Sequence, residues 1–213
     1  MNPDWPTLGI LASGRGSNCK AILDAVAEGG LAARPVLVLS DNSDAPVLRL
    51  AAERGVPARC IDPGRARARI APDRERVYVD ALRQAGASWI ALAGFMRILG
   101  QDFLQAFPGR IVNIHPSLLP AFPGLDAAGQ AHRHGVKIAG CTVHFVDEGV
   151  DSGPIIAQAP VPVEPGDTED DLRTRVLERE HRLYIEALGL VLSGKFRIEG
   201  RRVLPTDNQG AAS

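Results

Sequence analysis

The segment LGILASGRGSNCKAILDAVAE, Leu8 to Glu28, runs from an apolar stretch, Leu8–Ala12, through two closely spaced glycines into a helical pattern, Ser17–Glu28, and a second apolar stretch follows at Pro35–Leu39. Strands without polar alternation are buried on both faces, and a helix between two of them is a crossover, so the unit reads as βαβ in a parallel sheet. The alternation continues outward. Ala45–Arg54 reads as a helix, Ala58–Ile61 as a short strand, Asp73–Ala85 as a helix and Trp89–Ala93 as a strand. Gln101–Phe107 is helical, Ile111–His115 extended and, after a proline-rich stretch, Ala127–His134 helical. The tail differs: Cys141–Val146 and Ile155–Val163 are strands joined by the short turn Asp147–Pro154, which suits an antiparallel pair. Thr168 opens a long helix with Asp170 and Asp171 in its first turn and Gly194 beyond its end. The expected fold is α/β: a doubly wound, mostly parallel sheet with a Rossmann-like N-terminal half, a C-terminal antiparallel strand pair and a long C-terminal helix. With no repeat or linker, residues 1–213 read as one domain.

Composition excludes several classes. The 213 residues are 45% hydrophobic and 23% charged with a net charge of -1; nucleic-acid and anionic-membrane binders carry a basic excess. The Arg-rich loop Arg65, Arg67, Arg69 has no aromatic platform and alternates with Ala and acids, the pattern of a solvated face. Three dispersed cysteines, Cys19, Cys60 and Cys141, form no C-x-x-C pair and no secreted framework. No basic, apolar leader opens the chain and no run approaches a membrane span, so a soluble cytoplasmic protein is expected. Metal ligation lacks support: His132 and His134 are two apart on a helix and splay to different faces.

Three motifs carry chemistry. Gly14-Arg15-Gly16-Ser17-Asn18 stands where strand becomes helix, where a bare backbone and free N–H groups suit an anion. The third glycine of a dinucleotide fingerprint would fall at Cys19 and no Gly-Lys-Ser/Thr follows, so a phosphomonoester fits better than NAD or ATP. The same turn also serves as a tight connection in which Ser17 or Asn18 caps the helix. In Ile111–Pro120 (IVNIHPSLLP), Asn113 and His115 share one strand face and Val112 and Ile114 the other, with Pro116 ending the strand. That places them at the carboxyl edge of an open α/β sheet, where such folds bind ligands. A hydrogen-bonded core histidine is the alternative, but two polar groups on an apolar strand would each cost about 1–3 kcal/mol if buried unpaired. Thr142–Pro154 (TVHFVDEGVDSGP) brings Asp147 and Asp151, either turn formers or a carboxylate partner that would orient His115.

Together with Leu92–Leu99 (LAGFMRIL), these segments closely resemble the glycinamide ribonucleotide (phosphoribosylglycinamide) formyltransferases, the 10-formyltetrahydrofolate-dependent enzymes of purine synthesis. The Asn-x-His-Pro-Ser-Leu-Leu-Pro motif is shared with other formyl-folate enzymes, including a hydrolase that releases formate; the glycine loop and the length favour the transferase. The resemblance implies a one-carbon group transferase with 10-formyltetrahydrofolate as co-substrate, no metal, small-molecule partners only, and a monomer or homodimer. It implies a phosphate-binding half over about 7–110 and a catalytic, folate-binding half over about 111–205. Asn113, His115 and Asp151 would be catalytic. Gly16, Ser17, Asn18 and Glu180 would hold the ribonucleotide; Met96, Arg97, Ile98, Leu99, Val146, Asp147, Asn113 and Asp151 would line the folate pocket, and Arg74, just before a helix, would meet the folate carboxylates. Leu177 stands one turn before Glu180, where some relatives place a basic residue toward the phosphate, so that charge must be met elsewhere.

Overall fold

The computed structural model describes residues 2–66 and 68–206; Arg67 of the Arg-rich loop and the ends of the 1–213 span lie outside the described residues. In chain order the elements are β1 (Thr7–Leu11), α1 (Ser17–Ala27), β2 (Arg34–Ser40), α2 (Pro46–Glu53), β3 (Ala58–Cys60), α3 (Pro72–Gln84), β4 (Trp89–Leu92), α4 (Gln101–Ala106) and β5 (Ile111–His115). They continue with α5 (Ala127–His134), β6 (Ile138–Phe145), β7 (Ile155–Pro162), α6 (Glu169–Leu192), β8 (Phe196–Glu199) and β9 (Arg202–Pro205).

Among the described residues the strands form one sheet in the order β3-β2-β1-β4-β5-β6-β7-β9-β8. From β3 to β5 neighbours are parallel, whereas β6 pairs antiparallel with β5 and β7. The chain winds from β1 toward β3, then crosses back to β4, so the order reverses between β1 and β4, the point where open α/β sheets bind ligands. The alternation along each strand splits the core. Ile10, Ala91, Val112 and Ile114 face the cluster built with α1 and α6, while Leu11, Ile90, Leu92 and Ile111 face Tyr78 and Leu82 of α3 and Phe103 of α4.

Two features differ from the sequence reading. β8 and β9 form a hairpin where no strand is expected after the long helix, because FRIE and RVLP are charged and mostly exposed and carry no apolar run. The hairpin is held instead by edge pairing of β9 on β7 and by Phe196 packing on Phe145 and Trp89. Neither Ser17 nor Asn18 caps α1; Gly16 is the N-cap, in a left-handed conformation (φ 78°), with no side-chain cap. Arg74 lies inside the first turn of α3, within the helix read from the sequence over Asp73–Ala85. At α6 the acidic start is a full capping box, with Thr168 Oγ1 accepting from the Asp171 N–H and the Asp171 carboxylate accepting from the Thr168 N–H.

α6 is also pinned to the sheet. The Tyr184 hydroxyl meets the carbonyls of Leu92, at the end of β4, at 2.9 Å and of Val112, within β5, at 3.0 Å. One turn earlier on the same helix sits Glu180, carried to the same edge of the sheet.

Candidate active site

β5 delivers Asn113 and His115 to its carboxyl edge on the face opposite Val112 and Ile114. Asp151 comes from the β6–β7 loop with a left-handed backbone (φ 52°), a conformation that Asp tolerates better than most residues. Its Oδ2 lies 3.3 Å from His115 Nδ1 and accepts the Gly124 N–H at 2.8 Å. The other ring nitrogen of His115, Nε2, lies 2.9 Å from the Phe122 carbonyl, so an acceptor faces the buried ring on each side. Burial raises the affinity of the Asp151 carboxyl for its proton, but the neighbouring His144 imidazole, the Gly124 N–H and His115 outweigh it and hold the group below its ordinary range. Asp151 is therefore a carboxylate at neutral pH.

His144 completes the cluster, and no site role is assigned to it on sequence grounds. Antiparallel register sets it directly opposite Asn113, and its Nε2 is 3.1 Å from Asn113 Nδ2. The signal is the alternation Thr142, His144 on one strand face, but the register that pairs His144 with Asn113 cannot be read from either strand alone. Thr142, opposite His115, donates to the Ser117 carbonyl and accepts the Leu119 N–H, holding the turn that follows β5.

The second part of the site is the β1–α1 loop. Gly16 opens α1 at the mouth of a cavity of about 500 Å³ whose lining includes Arg15, Ser17, Lys20, Arg49 and Leu177. A Cβ on Gly16 would fall 2.4 Å from the Val47 side chain, so the glycine is required by packing against α2 as well as by its positive φ. Asn18 points the other way: buried, it donates from Nδ2 to Glu180 Oε2 at 2.8 Å, while its Oδ1 has no partner among the described residues. Burial lifts Glu180 to about 7, against a smaller opposing pull from Asn18.

The remaining folate-pocket candidates fall on two loops. Ser13 Oγ accepts the Met96 N–H at 2.8 Å, joining the loop after β4 to the loop after β1, and the Met96 side chain is exposed. Arg97 turns its guanidinium to Asp41 at 2.7 Å and to the Ala66 carbonyl, bracing the loop against the end of β2. Ile98 pairs with the chain at Ala68 and Ile70, and Leu99 is buried against α3 and α4. Arg74 donates to the Asp62 carbonyl at 3.0 Å beside that same stretch. Val146 packs on the α3–α4 side, whereas Asp147 is spent on its own turn, accepting from Ser152 Oγ at 2.6 Å and from the Gly149 N–H. Cys19 and Cys141 are buried, with thiols pushed up to about 12 by desolvation, which leaves them inert as nucleophiles.

Comparison with known proteins bears on the fold and the family. The formyl transferase family matches residues 8–188. The phosphoribosylglycinamide formyltransferase of Bacillus subtilis is 44% identical over 175 residues, covering 82% of this chain and 89% of that protein. The Mycobacterium tuberculosis protein of the same name is 42% identical, covering 91% of each. The crystal structure of glycinamide ribonucleotide transformylase 1 from Symbiobacterium toebii superposes with a TM-score of 0.91 at 49% identity, covering 97% of this chain and 96% of that one. A family match over most of the chain, with relatives of this identity along nearly its full length, shows that the chain belongs to the formyl transferases.

Proposed function

We propose that the chain transfers the formyl group of 10-formyltetrahydrofolate to the amine of glycinamide ribonucleotide, a step of purine biosynthesis. The observation that carries the residue assignment is the contact of His115 Nδ1 with the Asp151 carboxylate at 3.3 Å, with Asn113 two positions away on the same strand face.

The amine attacks the formyl carbon and the carbonyl oxygen becomes an oxyanion. Asn113, with one Nδ2–H toward His144, turns its second N–H to that oxygen, an interaction worth on the order of 10²–10³ in rate. His115, oriented by Asp151, stabilises the same oxygen and passes a proton to the folate nitrogen as its bond to the formyl carbon breaks, and the proton shed by the attacking amine restores His115, help worth about 10²–10⁴. The substrate oxygen takes the place of the Phe122 carbonyl at Nε2. The folate lies between the Met96–Leu99 and Val146–Asp151 loops, with Arg74 toward its carboxylates.

The ribonucleotide phosphate sits at Gly16–Ser17, where Arg15, Lys20 and Arg49 bring positive charge to the cavity that Leu177 lines without any. Asn18 and Glu180 meet the rest of the ribonucleotide. Anchored at one end, its amine is held in attack geometry at the other and outcompetes water by a large effective concentration. An amine nucleophile needs no metal-activated water, and among the described residues no group of three or more His, Cys, Asp or Glu is disposed to hold a metal. No helix among the described residues is long and apolar enough to cross a membrane; we place the enzyme in the cytoplasm as a monomer or homodimer acting on small molecules.

Mixing enzyme with 10-formyltetrahydrofolate, with and without glycinamide ribonucleotide, tests the reading. Formyl-folate loss should require the ribonucleotide and give one formylated product per folate consumed. Rapid release of formate without it would identify a hydrolase.

A further inference from the structure

We propose that His144 is a positioning residue that fixes which end of the Asn113 carboxamide faces the reacting carbon. The inference rests on the assignment of Asn113 as the oxyanion donor and adds what makes it a donor. A carboxamide has nearly the same shape either way round, yet its two ends act oppositely: the NH2 stabilises a developing oxyanion and the oxygen repels it. Asn113 therefore serves catalysis in one of its two orientations.

A backbone carbonyl makes the choice. His144 Nδ1 lies 2.8 Å from the Phe145 carbonyl oxygen, which can only accept, so Nδ1 carries a hydrogen. In the neutral ring the other nitrogen, Nε2, then holds a lone pair, and it points at Asn113 from 3.1 Å. Only the Nδ2 end of Asn113 satisfies that lone pair; the reversed amide would set oxygen against nitrogen with no hydrogen between them. The Asp151 carboxylate stands 3.7 Å from Nε2, beyond hydrogen-bond length, so in the neutral ring the contact belongs to Asn113; a proton on Nε2 would instead face Asp151 and release the amide.

The carbonyl is itself held from behind. A Cβ on Gly153 would fall 1.8 Å from the Phe145 oxygen, so the chain passes against it with no side chain between, and the Phe145 N–H donates to the Pro154 carbonyl at 2.9 Å. The β6–β7 loop thus sets a carbonyl, the carbonyl sets a tautomer, and the tautomer sets an amide. His144 is almost wholly buried, 2% exposed, so its part is exerted through Asn113.

Two measurements test this on the full chain. With 15N-labelled histidine, long-range 15N–1H correlations at neutral pH should show His144 as the Nδ1–H tautomer; a proton on Nε2 would overturn the proposal. His144→Asn keeps a donor for Phe145 and removes the distant acceptor, whereas His144→Gln can restore an acceptor near the Nε2 position. We expect His144→Asn to lower kcat about 10- to 100-fold, the range for partners that orient a catalytic group, with both KM values within about threefold, and His144→Gln to recover part of the loss. In an Asn113→Ala background His144→Asn should add almost nothing, because the amide it orients is gone. Losses that multiply in the double variant, or an unchanged kcat in a folded His144→Asn, would overturn it; if His144→Asn does not fold, the tautomer measurement and the same cycle with His144→Gln decide. Full activity in Asn113→Ala would instead overturn the assignment of Asn113 itself.

Discussion

Asn18 and Glu180, 162 positions apart in the chain, meet through an amide Nδ2–H donated to a buried carboxylate oxygen at 2.8 Å, and that bond ties the start of α1 to the middle of α6. The loop given to the phosphate and the helix given to the rest of the ribonucleotide are thereby one unit before any substrate arrives.

The first prediction follows from this carboxylate. Burial raises Glu180 from an ordinary 4.5 to about 7, so the folded state holds its proton more tightly than the unfolded chain. The associated stability is complete below the unfolded value and is lost as pH rises through the folded one. Glu180→Gln stays neutral and can still accept from Asn18. It should gain on wild type by up to ~3 kcal/mol between about pH 5 and pH 8, read as thermal unfolding at the two pH values; a gap that does not widen with pH contradicts this.

His115→Ala and Asn113→Ala should each lower kcat by at least ~10², with thermal unfolding close to wild type. Loss of folding in both, with the specific activity of the surviving protein intact, would mean the pair serves packing.

Asp151→Asn keeps the left-handed backbone and an oxygen for the Gly124 N–H but loses the charge. Because the folded carboxyl is held below its ordinary range, the stability it supplies is present above the unfolded value and disappears as pH falls through the folded one. Wild type should exceed the variant in stability at neutral pH, with the gap closing below about pH 4, and kcat should fall by about 10²-fold or more because His115 loses its orienting charge. An equal gap at pH 3 and pH 7, or a normal kcat, would refute this.

Arg15→Ala and Arg49→Ala should each raise the ribonucleotide KM by about 10- to 150-fold, the worth of a hydrogen bond to a charged group, and leave the folate KM within twofold. Equal weakening of both ligands would show that the loop shapes the fold rather than reads the phosphate. Gly16 is a poorer probe, since any side chain there collides with Val47.

Much of this site is legible in sequence because it lies on strands that announce themselves. Ile111–His115 is apolar except at 113 and 115, two positions apart, and is stopped by Pro116, so its ends and the shared face of Asn113 and His115 follow from period and from proline; the five residues match the observed strand. What could not be read depends on register and on contacts between distant segments. His144 becomes part of the site only when β6 is laid antiparallel on β5 with Asn113 opposite it. Glu180 is placed beside Asn18 by tertiary packing, and Arg97 finds Asp41 across 56 positions. The β8–β9 hairpin, charged and edge-bound, leaves no hydrophobic trace. Arg15, Lys20 and Arg49 are ordinary surface cations until the fold gathers them around one cavity.

The backbone of Asp151 limits how this enzyme can vary. A left-handed φ favours Gly, Asn and Asp there over other residue types. The charge needed opposite two imidazoles narrows the choice to Asp and Glu. Conformation and chemistry thus vote separately, and a single residue type satisfies both. Drift at this position has no neutral path: each exchange the backbone favours discards the negative charge, and the exchange that keeps the charge strains the loop that carries it.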